Sequence, residues 1–330
     1  MKRLVTALLG AMLCLAVAAC HPSGGGGGED QKTTFNIAFN TWLGYSPLLI
    51  AKEKGFLAKR GLDVNITFLE GIGEKNAALL RGDIDGVGHT ADSAVTSAAA
   101  GVDGQIVYVF DESYGADGIL ASNDVRTIAD LKGKKVALEP GFTGHFFLLS
   151  LLEEANLSPS DIQPIAMDTG SAGGAFLAKR VDAAATWEPW IGKAKERADG
   201  HVLVTSRDKP GRIIDVLYMN RATIAAHPAE IGKLVDAMDE AIAWYRTHVD
   251  EGDRIMAKFW KLPLPEEKTT VAGMRFFDRA ANAKFFGTAA APGQLLQTVT
   301  TANRVWARAG VIKKPIGHPE RLIYYDGVTR

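Results

Sequence analysis

At 330 residues, 47% hydrophobic and 23% charged, the chain carries apolar material for one or two sizeable cores, which excludes a disordered or fibrous polypeptide. A formal net charge of -1 and a sequence pI near 6.7 leave no basic face for nucleic acid, so no nucleic-acid partner is expected.

Residues 1–20 have a basic start, "MKR", and an apolar run, "LVTALLGAMLCLAVAA", too short for a comfortable membrane span. Val17-Ala18-Ala19-Cys20 resembles the bacterial lipobox, which implies export, cleavage after residue 19 and lipidation of Cys20. The alternative is an ordinary signal peptide with Cys20 an accidental neighbour. Cys14, the other cysteine, lies in the removed segment, so the mature chain has no disulfide to form. Residues 21–34, "HPSGGGGGEDQKTT", cannot bury apolar surface and are expected to form a tether reaching on the order of 20 Å.

From Phe35 onward short β-branched runs alternate with amphipathic ones, the pattern of an α/β protein. Strands are predicted at 35–40, 62–70, 84–89 and 104–111, and helices at 46–61, 73–83 and 91–101. The order then recurs: strand 134–140, helix 144–157, strand 162–168, the helix and strand of 171–186, and strand 199–206. Aligning Asp85 with Asp182 places "HTAD" (89–92) opposite "TWEP" (186–189), which implies two similar lobes. Segments 112–122 and 213–220 are expected to cross between them as a hinge of two strands. Lobe 1 then comprises 35–114 and 221–330, lobe 2 comprises 115–220, and the mostly helical segment after Asn220 packs back on lobe 1.

Five strings, "NTWLGYSPLLIAKEKGFLAKRGLDV", "LLRGDIDGVGH", "DLKGKKVALEPG", "RVDAAATWEPW" and "VLYMNRATIAAHP", resemble signatures of the nitrate/sulfonate/taurine-type substrate-binding proteins of ABC importers. The resemblance implies a type II periplasmic-binding fold, two α/β lobes joined by a two-strand hinge. It also implies a small-molecule solute held between the lobes, with ABC permease and ATPase subunits as partners. The chain has no GxxxxGK[ST] loop with which to use ATP itself. A monomer is expected, exported and membrane-anchored, with no cofactor and no metal.

Ligands of open α/β sheets sit beyond the carboxyl ends of strands. That rule selects six loops: 40–46, 70–74, 89–93, 139–145, 168–174 and 186–190. Trp42 and Tyr45 offer an aromatic wall, with loop packing as their structural role. Thr90 and Asp92 open a helix, where Thr90 is first an N-cap. Thr143, Gly144 and Ser171 stand at comparable helix starts, whose amides attract ligand oxygens. His145 either pairs an anionic group or packs. Trp187, Glu188 and Trp190 suggest a carboxylate in an aromatic cage, which favours a cation; as a structural role, Glu188 caps a helix whose first turn holds Pro189. Asp117 is a second acidic candidate, while Asp111 and Asp215 are expected to hydrogen-bond the crossing strands.

None of the six loops contains arginine, whereas nitrate, sulfate-like or phosphate groups call for arginine or clustered lysine. The expected solute is therefore a cationic or zwitterionic nitrogen compound: an amine, quaternary ammonium, taurine-like molecule or aminopyrimidine. The alternatives are an anion such as a sulfonate or nitrate, and an enzyme of the pyrimidine-synthase type. Against the enzyme stand the absence of metal-ligand spacing, of a G-x-S-x-G elbow and of a nucleophilic cysteine.

Overall fold

The computed structural model describes residues 32–327. The signal, Cys20 and most of the tether lie outside the described residues. Thr33 and Thr34, expected in the tether, instead pair with Leu62 and Asp63 as the first sheet residues.

Lobe 1 is built from β1 (Thr33–Phe39), α1 (Ser46–Glu53), β2 (Leu62–Phe68), α2 (Ile72–Arg81), β3 (Gly86–Thr90), α3 (Ala91–Ala99) and β4 (Gly104–Ser113). Lobe 2 follows with β5 (Asp117–Ser122), β6 (Lys135–Leu138), α4 (Thr143–Glu154), β7 (Gln163–Ala166), α5 (Thr169–Leu177), β8 (Ala183–Trp187), α6 (Trp190–Lys195) and β9 (Gly200–Thr205). The chain returns through β10 (Ile214–Asn220) to α7 (Arg221–Ala226), α8 (Pro228–Thr247), α9 (Val249–Trp260), α10 (Leu264–Val271), β11 (Met274–Phe276), α11 (Arg279–Phe286) and α12 (Gln294–Arg308). α1 ends sooner than the apolar pattern suggested, since Gly55 has φ 74°, a left-handed turn that stops the helix.

The two sheets have orders β11-β4-β10-β3-β1-β2 and β7-β6-β8-β5-β9. Stripped of edge strand β11, they match strand for strand, with β10 and β5 each antiparallel to both neighbours. The repeat extends to side chains. Asp85 accepts the Asn36 amide at 2.7 Å, and Asp182 accepts the Lys135 amide at 2.8 Å, each tying the start of its third strand to its first.

Residues 213–220 were expected to belong to lobe 2 and to the hinge, and this is corrected. Ile214–Met219 is buried on both faces, so it is driven into the middle of the first sheet between β3 and β4. Residues 117–122 likewise are no free crossing but β5, inside the second sheet. The linking segments are shorter, 114–116 and 206–213. They are fastened together where Ser206 Oγ meets Ser113 Oγ at 2.8 Å and accepts the Gly115 amide at 2.7 Å. Gly115 has φ 117°, which other residues resist.

Alternation along the strands explains the cores. In lobe 2, Ile119, Val136, Leu138, Ala183 and Ala185 face α4, while Leu120, Ala137 and Ala184 face α5 and α6. Lobe 1 has one larger core, closed by α8 and α12, so the C-terminal helices do pack back on it.

Candidate functional site

All six selected loops converge on one cleft between the lobes. Its vestibule has a volume of about 440 Å³ and draws Thr41, Trp42 and Leu43 from the loop after β1, with Glu70 and Gly71 from the loop after β2. The second lobe contributes Glu139, Phe142, Asp168, Thr169, Gly170 and the Trp187–Trp190 run. Beneath it lies a floor of only about 10 Å³, lined by Asn40, Trp42, Tyr45, Thr90, Asp117, Phe142, Thr143, Trp187, Ile213 and Asp215.

Aromatic rings form the walls. Trp187 lies 6.1 Å from Trp42 and 6.1 Å from Phe142, centroid to centroid, so an indole from each lobe meets over the floor. Tyr45 stacks on Phe39 at 4.7 Å and donates its hydroxyl to Asn40 Oδ1. The lobes also touch where Thr90 Oγ1 and Thr143 Oγ1 stand 2.9 Å apart. Thr90 is the residue before α3, yet its hydroxyl makes no cap there; it bonds Ser93 Oγ and faces Thr143.

The electrostatic character is acidic. Vestibule residues include Glu70, Glu139, Asp168, Glu188 and Glu266, and floor residues include Asp117 and Asp215, with no lysine, arginine or histidine in either lining. Several of these carboxylates are engaged locally. Glu70 holds the Thr41 amide and hydroxyl, Glu139 holds those of Thr169, and Asp168 caps α5 through the Ser171 amide. Glu188 is 8% exposed and accepts the Gly192 amide at 2.9 Å, which is the capping role; it also lines the vestibule between the two indoles.

The carboxylates at and behind the floor are different, Asp117 and Asp215 lining it and Asp111 and Asp92 lying outside both linings. Asp111 is fully buried and neither of its carboxylate oxygens has a hydrogen-bond partner. Asp117 Oδ2 and Asp92 Oδ1 are also without one. Burial, then the Asp117 and Glu112 charges, pushes Asp111 well above the usual carboxylate range. Burial and the Asp111 charge do the same to Asp215, and burial raises Asp117 to about 7. Burial also raises Asp92 to about 7. Asp111 was expected to hydrogen-bond the crossing strands; its carboxylate instead faces the Trp42 indole nitrogen, whose N–H lowers its pKa against the larger effect of burial. The nearest buried cation is Lys75 on α2, whose Nζ donates to Asn40 Oδ1 at 2.5 Å and Gly88 O at 2.9 Å. Desolvation lowers it to about 7.

Four expected residues lie outside both linings. Asp92 points its backbone carbonyl at Trp306 Nε1 and sits behind Thr90. Gly144 lets α4 approach β8: an added Cβ would lie 3.2 Å from Ala185 Cβ. His145 accepts the Gly141 amide, edges onto Trp306 at 5.4 Å, and burial lowers its pKa to about 4, so it is neutral and packs. Ser171 spends its amide on the Asp168 cap. Trp190 is placed in the vestibule, though packing also holds it, since a Cβ on Gly173 would lie 2.4 Å from its ring.

The loops were identified by strand polarity, but Asn40, Glu70, Glu139 and Phe142 within them were not singled out. Lys75 was missed because its helix reads as an ordinary amphipathic one. A second cavity, about 450 Å³ between α4 and α12, is lined by Glu153, Glu154, Arg212, Arg304 and other residues whose polar groups are satisfied or exposed. The buried, unpartnered polar atoms at the cleft floor single out the cleft instead.

The chain matches the NMT1-like family over residues 28–260. It is 30% identical over 224 residues to a binding protein of Brucella abortus, covering 67% of this chain and 69% of that one. It is 32% identical over 229 residues to an Escherichia coli K12 protein named for the binding of aliphatic sulfonates, covering 66% and 69%. Among solved structures, the periplasmic aliphatic sulphonate binding protein SsuA from Escherichia coli superposes with a TM-score of 0.71 at 24% identity, covering 90% of this chain and 99% of that one. In agreement with the resemblance carried by its five strings, the chain belongs to the NMT1-like family and has the two-lobed periplasmic-binding-protein fold.

Proposed function

We propose that the protein is an extracytoplasmic receptor that captures a small organic solute with a cationic nitrogen, alone or within a zwitterion, and delivers it to an ABC importer. Cys20 carries the lipid that keeps it at the membrane, with the glycine-rich tether between anchor and lobes. The observation that carries the solute class is the cleft lining, which holds Glu70, Glu139, Asp168, Glu188, Glu266, Asp117 and Asp215 and no basic side chain. An anion placed there meets carboxylates and no basic side chain; a cation is complementary to those carboxylates and to three indoles. Relatives named as binding proteins support a receptor over an enzyme.

The second reading is a sulfonate-type anion, and the names of the relatives support it better than the cation. One local feature agrees: α4 begins at Thr143 with no side-chain cap, leaving its first amides for a ligand oxygen. The two readings separate by thermal unfolding with ethanesulfonate, nitrate, taurine, alkylamines and betaine. A ligand at a hundred times its Kd adds about 2.7 kcal/mol of stability. Upward shifts with amines or taurine but not ethanesulfonate support the first reading; shifts with ethanesulfonate or nitrate alone establish the second. Labelling of wild type but not Cys20→Ser by radiolabelled palmitate in a bacterial host tests the anchor.

A further inference from the structure

We propose that the cleft floor is a subsite for a compact cation bearing N–H donors, an ammonium or amidinium head and not a quaternary ammonium, held by Asp117 and Asp215, with Asp111 buried behind them. The inference rests on the reading of the cleft as the solute site and names the head group that its deepest part takes.

Three observations carry it. First, the register of β10 on β4 sets Asp215 directly beside Asp111, two like charges on neighbouring strands where such pairs are unfavourable. Asp117 joins them from β5 of the other lobe, so the cluster forms only where the lobes meet. Secondly, these side chains are 0%, 3% and 4% exposed for Asp111, Asp215 and Asp117, and Asp117 Oδ2, which lines the floor, accepts nothing. A buried acceptor without a donor is costly, and carboxylate oxygens are matched by N–H groups that a quaternary ammonium lacks. Thirdly, Trp42 closes over the carboxylate behind the floor. It is 5% exposed, and a Cβ on Gly44 would lie 2.4 Å from its Nε1 and 2.0 Å from Asp111 Oδ2, so the indole N–H faces Asp111 and leaves Asp117 and Asp215 for the cation. Gly44 is thus what allows the Trp42 loop to close over Asp111.

Size sets the rest. A floor of about 10 Å³ has room for one water-sized group, so the head must be compact, while the vestibule of about 440 Å³ takes the remainder of the solute between Trp42, Phe142 and Trp187. Because Asp215 comes from lobe 1 and Asp117 from lobe 2, a cation held by both favours the closed arrangement of the lobes. Solute capture and lobe closure then share one interaction.

Binding also displaces protons. The groups facing the cluster are Glu112 on β4, Asp92 on α3, Glu188 after β8, Tyr45 before α1 and Lys75 on α2, and burial raises the three aspartates. Affinity for the cation therefore rises with pH between about 5 and 8.

The test is calorimetric titration of the full chain in mild detergent with methylammonium, acetamidinium, tetramethylammonium and ethanesulfonate. The expected result is binding of the first two about tenfold or more tighter than tetramethylammonium, and tighter at pH 8 than at pH 6. Asp215→Asn and Asp117→Asn should each lose about tenfold or more in affinity while the melting temperature holds or rises, a pairing that a purely structural role would not produce. Equal binding of tetramethylammonium, or unchanged affinity in both variants, overturns the subsite and leaves the cationic reading standing. Binding of ethanesulfonate with no response to any cation, or no binding of the N–H cations at millimolar concentration, overturns both.

Discussion

The two lobes share one strand plan and use it for unequal ends. In both, the antiparallel strand that arrives from the other lobe places an aspartate beside the last residue of the third strand: Asp215 opposite Thr90 and Asp117 opposite Trp187. The alignment that pairs Asp85 with Asp182 pairs Thr90 with Trp187, so the two aspartates hold equivalent positions in the two sheets. Their surroundings differ. Lobe 1 backs its site with a large core that reaches Trp42, Tyr45 and Trp306, whereas lobe 2 has thin, alanine-rich layers and presents Trp187 half-buried at its surface. Repetition thus supplies the charges twice, while the walls are specialised: lobe 1 offers the more deeply buried wall and lobe 2 the more exposed one.

That contrast can be broken at its walls first. Trp42→Ala removes a 5%-exposed ring from the lobe 1 core and should cost about 3–5 kcal/mol of stability, read from urea unfolding. Trp187→Ala should cost far less stability yet weaken solute binding; a comparable loss in both variants would make the two walls equivalent.

The next effect concerns the paired aspartates. Asp215→Asn and Asp117→Asn should each weaken a bound cation by about 1.5–3 kcal/mol, and the double variant by less than the sum, because the pair acts on one charge. Loss from only one of them would assign the site to a single lobe.

Stability without solute should follow the same groups. Asp92 and Asp117 are raised by burial to about 7, above their unfolded values, so their contribution is present below about pH 4 and is lost as pH rises through about 7. Urea midpoints should fall between pH 5 and pH 8, and Asp117→Asn should flatten that slope; an unchanged slope would show that the floor is solvated.

The smallest effect belongs to the exposed ion pairs between the lobes. Glu153 on α4 meets Arg304 and Arg308 on α12, all of them partly exposed. Glu153→Gln should change stability by less than about 1 kcal/mol and loosen closure only slightly, as measured by small-angle scattering with and without solute.

Much of this was legible in the chain. The recurrence of Asp85 in Asp182 revealed two lobes, because a side chain that caps the first strand must recur wherever that geometry recurs. Strand polarity located all six cleft loops. The absence of arginine from those loops signalled an unusual lining, which extends to every lysine, arginine and histidine in the described linings. His145 and Ser171 misled, since residue type and position at a helix start do not say whether a side chain turns outward or inward. Hydrophobic periodicity likewise could not tell that 213–220 enters the first sheet, because a strand buried on both faces carries no mark of which sheet it joins.

Local pattern therefore determined the elements, their order, the repeat and the loops that face the ligand, all of which depend on neighbours a few residues apart. Only the tertiary structure decided that Asp117 and Asp215, separated along the chain, line one buried floor with Asp111 behind them. The physical reason is that burial and charge proximity are properties of packed strands from two lobes, and no window of sequence contains them.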